Sequence, residues 1–194
     1  MATKEMEREA SGTFVRDIEE IRRRARQHME GGAVTPGYRA DRDAVVRLLN
    51  EALATEIVCV LRYKYHYFMA GGINSQAVKE EFLEHANEEQ QHADMIAERI
   101  TQLDGKPNYD PQGLATRSHS EYKEGASLVD MIREDLVAER IAIESYSDMI
   151  RFLGNDDPTT RRMMEEILAT EEQHADDMKT LLETIGQQGQ AGKK

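Results

Sequence analysis

Apolar residues recur at steps of three and four along four long stretches of the chain, with charged residues filling the positions between them. The first stripe runs through Leu49, Leu53, Val60, Tyr63 and Tyr67, and the second through Phe82, Ala86, Ala93, Ile96 and Ile100. The third takes Met131, Leu136, Ile143, Tyr146 and Ile150, and the fourth Met164, Leu168, Ala175, Met178 and Leu182. Punctuation between them predicts four helices. One runs from Asp41 to Ala70, closed by Gly71-Gly72, and the next from Ser75 to Leu103, before Asp104-Gly105-Lys106-Pro107. A third follows Ser127 and stops at Gly154; a fourth opens at Asp157-Pro158 and fades at Gly186. Short connections make each pair an antiparallel hairpin. The stretch KPNYDPQGLATRSHSEYKEGA between the hairpins is long enough to return along the bundle, about 40 Å at 1.5 Å per residue. The fold is therefore all-α, an antiparallel four-helix bundle with one long crossover. Residues 12–30 form a weaker amphipathic helix, with Phe14, Ile18, Ile21 and Ala25 on one side, suited to packing or subunit contact.

Each stripe is interrupted by glutamate: Glu56, Glu89, Glu139 and Glu171 stand where apolar residues belong, and His92 and His174 follow the second and fourth of them one turn later. Four unpaired carboxylates in one core cost several kcal/mol each, so something cationic must neutralise them. Two divalent metals against four glutamates, with two neutral imidazoles completing the shells, balance to zero. A single E-x-x-H means little in so glutamate-rich a chain. Here E-x-x-H-A-D occurs twice, and Glu56 and Glu139 precede the two motifs by 33 and 32 positions. Tyr63 and Tyr146 each lie seven residues after the lone glutamate of their helix, which extends the half-repeat. Carboxylate and imidazole donors suit iron, manganese or zinc.

The chain has 194 residues, one domain by the usual size prior, and a formal charge of -12, which attracts cations and argues against general affinity for nucleic acid. Arg22-Arg23-Arg24-Ala25-Arg26 is diluted by Glu19, Glu20 and Glu30, which argues against DNA binding. The single cysteine, Cys59, excludes an intrachain disulfide and any cysteine-built metal site. No apolar run is long enough to span a membrane, and the polar N-terminus lacks a signal core, so a cytoplasmic location is expected.

The motifs ATEIVCVLRY around Glu56, NEEQQHAD around Glu89 and His92, EDLVAERI around Glu139 and ATEEQHAD around Glu171 and His174 resemble those of the ferritin-like superfamily, and most closely bacterioferritin and the Dps-like ferritins. The resemblance covers residues 41–186, leaving 1–40 as an N-terminal extension and 187–194 as a polar tail. It implies that Glu89 and Glu171 bridge two irons per subunit, with Glu56 and His92 at one end and Glu139 and His174 at the other. Manganese or zinc could occupy the same donors. The implied function is storage and detoxification of iron: Fe(II) is oxidised by dioxygen or hydrogen peroxide at this ferroxidase centre, and the mineral is held in a hollow homo-oligomer. Gln90 replaces the methionine of haem-binding bacterioferritins, which argues against haem. Ala142 departs from the rubrerythrin pattern, and the short tail lacks the fifth helix of 24-subunit ferritins, which points to a dodecamer. The alternative reading is a non-storage di-iron or dimanganese oxidoreductase of catalase, peroxidase or oxygenase type. Tyr63 is a candidate electron donor or a partner of a ligand carboxylate, and Cys59 a redox-active or an inert buried thiol. Glu84 and Glu88 belong either to an inner iron-passing surface or to a solvated face. His66, His85 and His119 read as surface or packing residues.

Overall fold

The structure, a computed structural model, describes residues 17–72 and 75–191, with side chains as far as Ile185. The chain divides into two compact units, Met1–Tyr38 and Arg39–Lys194. In the first, α1 spans Ile18–Arg24 and starts at Asp17, whose carboxylate accepts hydrogen bonds from the Glu19 and Glu20 amides. A single 3-10 turn follows at Met29–Gly31. This helix is shorter than the 12–30 pattern predicts. It ends at Ala25, and His28 then takes a positive φ of 51°, which an α-helix does not accommodate. None of its residues is buried; Phe14 lies outside the described residues.

The second unit is the bundle: α2 at Arg42–Met69, α3 at Ser75–Gln102, the one-turn α4 at Leu114–Arg117, α5 at Leu128–Leu153 and α6 at Pro158–Ala191. The helix starts are written into the sequence. Asp41 accepts from the Ala44 amide, Ser127 from the Asp130 amide and Asp157 from the Thr160 amide, each satisfying a donor that the first turn leaves free. Gly154, at φ 51°, ends α5 where a residue with a Cβ would be strained. Helix α2 packs chiefly on α3, and α5 on α6, while α4 in the crossover lies against α2. α6 runs on to Ala191, past Gly186 where the pattern predicts its end. Gly186 and Gly189, the two glycines it crosses, cost only about 1 kcal/mol each, and Leu181, Leu182 and Ile185 still pack on the core cluster in the preceding turns.

The crossover explains why α2 is buried on more than its bundle-facing side. Its inner face meets the bundle, while its outer face is tied down by polar contacts: Thr55 accepts from the His119 amide at 3.0 Å, and Arg62 donates to the Glu121 carbonyl at 3.1 Å. Arg62 also donates to Asp135 on α5 at 2.9 Å, and the other oxygen of Asp135 lies 2.8 Å from His66 Nδ1. This pairing turns α5 from its predicted orientation. Asp135, Ala138, Ala142 and Met149 are buried, whereas Leu136, Ile143 and Ile150 of the predicted stripe are only half-buried. At one end of the bundle Tyr63, Phe82, Ala86, Ile132 and Met178 form an apolar cluster, and the polar centre described next adjoins it.

Candidate metal centre

Glu56 on α2, Glu89 and His92 on α3, Glu139 on α5, and Glu171 and His174 on α6 all point into the bundle, and none is more than 6% exposed. The i, i+3 spacing places each Glu-His pair on one helical face. The six side chains fall into two overlapping groups. Glu56, Glu89, His92 and Glu171 form one, and Glu89, Glu139, Glu171 and His174 the other, with donor atoms within 4.8 Å of one another in each. Around His92 Nδ1 lie Glu171 Oε1 at 3.0 Å, Glu56 Oε2 at 3.3 Å and Glu89 Oε2 at 3.5 Å. Around His174 Nδ1 lie Glu89 Oε1 at 3.6 Å, Glu171 Oε2 at 3.7 Å and Glu139 Oε2 at 3.9 Å. Glu89 and Glu171 thus present one oxygen to each group, as a bridging carboxylate must.

These atoms suit cations. Among the described residues, seven buried polar atoms of these six side chains accept or donate no hydrogen bond, and they all belong to the two groups: one each from Glu56, Glu89, His92, Glu139 and His174, and both oxygens of Glu171. Orphaned polar atoms at this density are unfavourable unless an ion satisfies them. Without metal, protons substitute for it. Burial, then the charge of Glu89, pushes Glu56 up to about 8, and burial with Glu89 and Glu171 holds Glu139 well above the usual carboxylate range. Burial opposes protonation of His174, but the Glu171 and Glu89 carboxylates facing its Nδ1 override it and raise the imidazole to about 11. His92 is raised in the same way by Glu171, Glu56 and Glu89. Burial and a neighbouring carboxylate push Glu89 and Glu171 upward, yet the two histidines that face them leave the pair below their ordinary value. The raised groups outnumber the lowered ones, so the metal-free pocket takes up protons that offset its four carboxylates. Two divalent cations offset the same four carboxylates.

Further residues hold the inner six in place. Tyr63, on the helix that carries Glu56, donates to Glu139, while Tyr146, on the helix that carries Glu139, donates to Glu56. The two hairpins therefore support each other's lone glutamate in a pseudo-two-fold exchange. His174 Nε2 meets Glu88 at 2.7 Å, which fixes the ring with Nδ1 turned inward. His85 stacks on His174, with ring centroids 3.8 Å apart, and its Nδ1 lies 3.2 Å from the Tyr63 hydroxyl.

The structure brings all six predicted donors together and sets Tyr63 beside them. Three contributors were not evident from the sequence. Tyr146 was visible only as the second member of the Tyr half-repeat. Glu88 was indistinguishable from a solvated glutamate. His85 is the packing residue of the two readings, but it packs on the centre itself: it is buried against His174, and burial with that neighbour pushes it down to about 3. His66 is likewise buried, held by Asp135 and the Lys123 carbonyl, whereas His119 is partly exposed beside Ser145. Burial raises the Cys59 thiol well above its ordinary value, so it carries no reactive thiolate.

An all-helical bundle with two Glu-x-x-His helices and two lone-glutamate helices defines a carboxylate-bridged dinuclear class. The chain belongs to the ferritin family: the ferritin-like domain matches residues 46–187. It is 31% identical over 147 residues to a bacterioferritin from Mycobacterium leprae, covering 75% of this chain and 88% of that protein. Among solved structures it is similar to a bacterioferritin-related protein from Bacteroides fragilis, described as a dodecameric thioferritin. That match has a TM-score of 0.75 and 31% identity, and it covers 78% of this chain and 91% of the other. It also shares its fold with the Dps protein of Thermosynechococcus elongatus, at TM-score 0.69 and 22% identity, covering 72% and 90% of the two chains. No helix among the described residues is long and apolar enough to cross a membrane.

Proposed function

We propose that the protein stores and detoxifies iron, oxidising Fe(II) to Fe(III) at the centre formed by Glu56, Glu89, His92, Glu139, Glu171 and His174. One observation carries this reading: Glu89 and Glu171 each offer their two oxygens to two different groups of donors, an arrangement that serves two cations held side by side. In this reading Glu89 and Glu171 bridge, Glu56 and His92 complete one position, and Glu139 and His174 the other. Fe(II) is substrate and cargo here, and two adjacent Fe(II) ions supply two electrons to one oxidant. The protein's own part is positional. Tyr63 and Tyr146 orient the terminal carboxylates, Glu88 orients His174, and the surrounding side chains keep the donors buried. The oxidant is proposed to be dioxygen or hydrogen peroxide, and the reducing cytoplasm the compartment, where Fe(II) persists. A hollow dodecamer of this chain is proposed to hold the product, a reading supported by the dodecameric relative from Bacteroides fragilis.

An anaerobic Fe(II) titration followed by oxygen and by sizing of the product tests the proposal. Binding of about two Fe(II) per chain, rapid oxidation and continued uptake far beyond two in a large particle is the expected result. Uptake that stops at two in a small oligomer overturns storage and leaves a di-metal oxidoreductase. Oxidation unchanged in Glu89→Gln/Glu171→Gln overturns both.

A further inference from the structure

Three side chains from three segments meet in an order that the function proposed above does not use: Ser145 on α5, His119 in the crossover and Glu51 on α2. His119 Nδ1 is 3.1 Å from Ser145 Oγ, and its Nε2 is 3.5 Å from Glu51 Oε2. The crossover fixes His119 from its backbone side, because the His119 amide donates to Thr55 Oγ1 on α2 at 3.0 Å. A carboxylate only accepts, so the imidazole hydrogen belongs on Nε2, and the lone pair on Nδ1 then accepts from the Ser145 hydroxyl. A hydroxyl bonded to a base that a third group orients is the arrangement that activates a serine nucleophile. Ser145 is part of the wall of a cavity of about 640 Å³, formed with Val137, Arg140, Ile141, Ile143 and Glu144. Arg140 is exposed and has no hydrogen-bond or ion-pair partner among the described residues, so its guanidinium is free to meet a carbonyl oxygen as negative charge develops there. Glu51 and His119 line a second cavity, of about 1080 Å³, together with Arg47 and Lys106. The bond from Ser145 to His119 thus joins an apolar recess to a polar one.

We propose that Ser145, His119 and Glu51 form a hydrolytic site that cleaves a carboxylic ester with an apolar acyl group and a polar alcohol, using none of the six metal donors. Ser145 Oγ attacks the ester carbonyl carbon and passes its proton to His119 Nδ1. Arg140 faces the negative charge that gathers on the carbonyl oxygen. The bond between the acyl carbon and the alcohol oxygen breaks, and the proton on His119 leaves with the alcohol. Water then attacks the acyl group on Ser145 and gives a proton to His119. The carboxylic acid departs, and that proton returns to Ser145 Oγ. Glu51 touches no reacting atom; it is a positioning residue that holds Nε2–H and, with it, the ring. The apolar wall of Val137, Ile141 and Ile143 receives the acyl group, and the cavity beside His119 receives the alcohol.

The test uses the full-length assembled protein with two probes, a fluorophosphonate and p-nitrophenyl butyrate, the second assayed with a chelator present so that no free metal ion contributes. The expected result is about one phosphonyl group per chain, placed on Ser145 by peptide mass spectrometry and absent from Ser145→Ala and His119→Gln. Hydrolysis of p-nitrophenyl butyrate should fall about 100-fold in each of those variants. Glu51→Gln should lower kcat with KM unchanged, and Glu51→Asp should restore part of the loss. Fe(II) oxidation by Ser145→Ala should equal that of the unaltered protein, which separates this site from the metal centre. No labelling of the unaltered protein, or labelling at another residue, overturns the proposal. Hydrolysis by Ser145→Ala at the rate of the unaltered protein overturns it as well, since it shows that the ester is cleaved without the serine. The labelling is read on the unaltered chain, so it decides the matter even where a variant fails to fold.

Discussion

Tyr63 and Tyr146 are the residues whose chemistry is most exposed to a single-atom test, because each loses only a hydroxyl on replacement by phenylalanine. Each donates to the lone glutamate of the opposite hairpin, so Tyr63→Phe frees Glu139 and Tyr146→Phe frees Glu56. Losing an outer partner of a metal ligand costs about 10- to 100-fold in affinity or activity. Both variants are therefore expected to weaken Co(II) binding by that order. The pseudo-two-fold exchange makes the losses similar, and isothermal titration of the two variants checks this. Proton linkage gives a second prediction. Glu56 is raised from the ordinary carboxylate range to about 8, and His174 from the ordinary imidazole range to about 11, so the metal-free fold binds more protons than the unfolded chain. Its stability is fullest below the unfolded values and is lost as pH rises through the folded ones. Metal displaces these protons. The gap in thermal midpoint between metal-loaded and metal-free protein should widen from about pH 6 to about pH 9, as scanning calorimetry would show; a constant gap contradicts the assignment.

Among the elements, the fastening of the crossover to α2 depends on one buried carboxylate. Asp135 pairs with Arg62 and lies against His66, and those two side chains in turn hold the carbonyls of Glu121 and Lys123. Asp135→Asn leaves the Arg62 guanidinium buried without its counter-charge, which costs about 3–5 kcal/mol. Urea unfolding of the metal-loaded variant measures this, and a loss below about 1 kcal/mol shows that water or a neighbour replaces the carboxylate. The same residue marks the limit of what the sequence revealed. Helix starts were legible because Asp41, Ser127 and Asp157 are capping side chains with one local job, and Gly154 ends α5 for an equally local reason. The six inner donors were legible because a glutamate set in an apolar stripe is buried as the helix packs, and a buried carboxylate demands a cation or a proton. The rotation of α5 was not, because an aspartate reads as solvent-facing until Arg62, 73 residues away, supplies its partner. His85 was hidden in the same way: only the fold brings its Nδ1 to Tyr63 and its Nε2 to Asp177.

At the scale of the whole molecule, storage requires an interior that one bundle does not have, so the surface must hold copies together. Copies with a formal charge of -12 repel one another, and the contact has to be supplied by apolar surface. On α2, Leu61 is 50% exposed and Phe68 73% exposed, seven residues apart and therefore on one helical stripe. Large apolar side chains aligned on one helical face offer an association surface, and a stripe of this kind can pair with its own copy about a two-fold axis. Leu61→Glu places a charge on this stripe, on the exposed face of α2. The native mass should fall to that of a monomer or small oligomer, read by light scattering. Fe(II) oxidation at about two per chain should survive, while uptake beyond it is lost. That split separates the chemistry of the bundle from the containment provided by the shell. If the particle stays intact, the stripe is not the contact, and the exposed Val137 on α5, beside the half-buried Ile141, is the next face to charge. If instead oxidation disappears with the mass, the centre itself depends on assembly, and the independence of the single bundle is wrong.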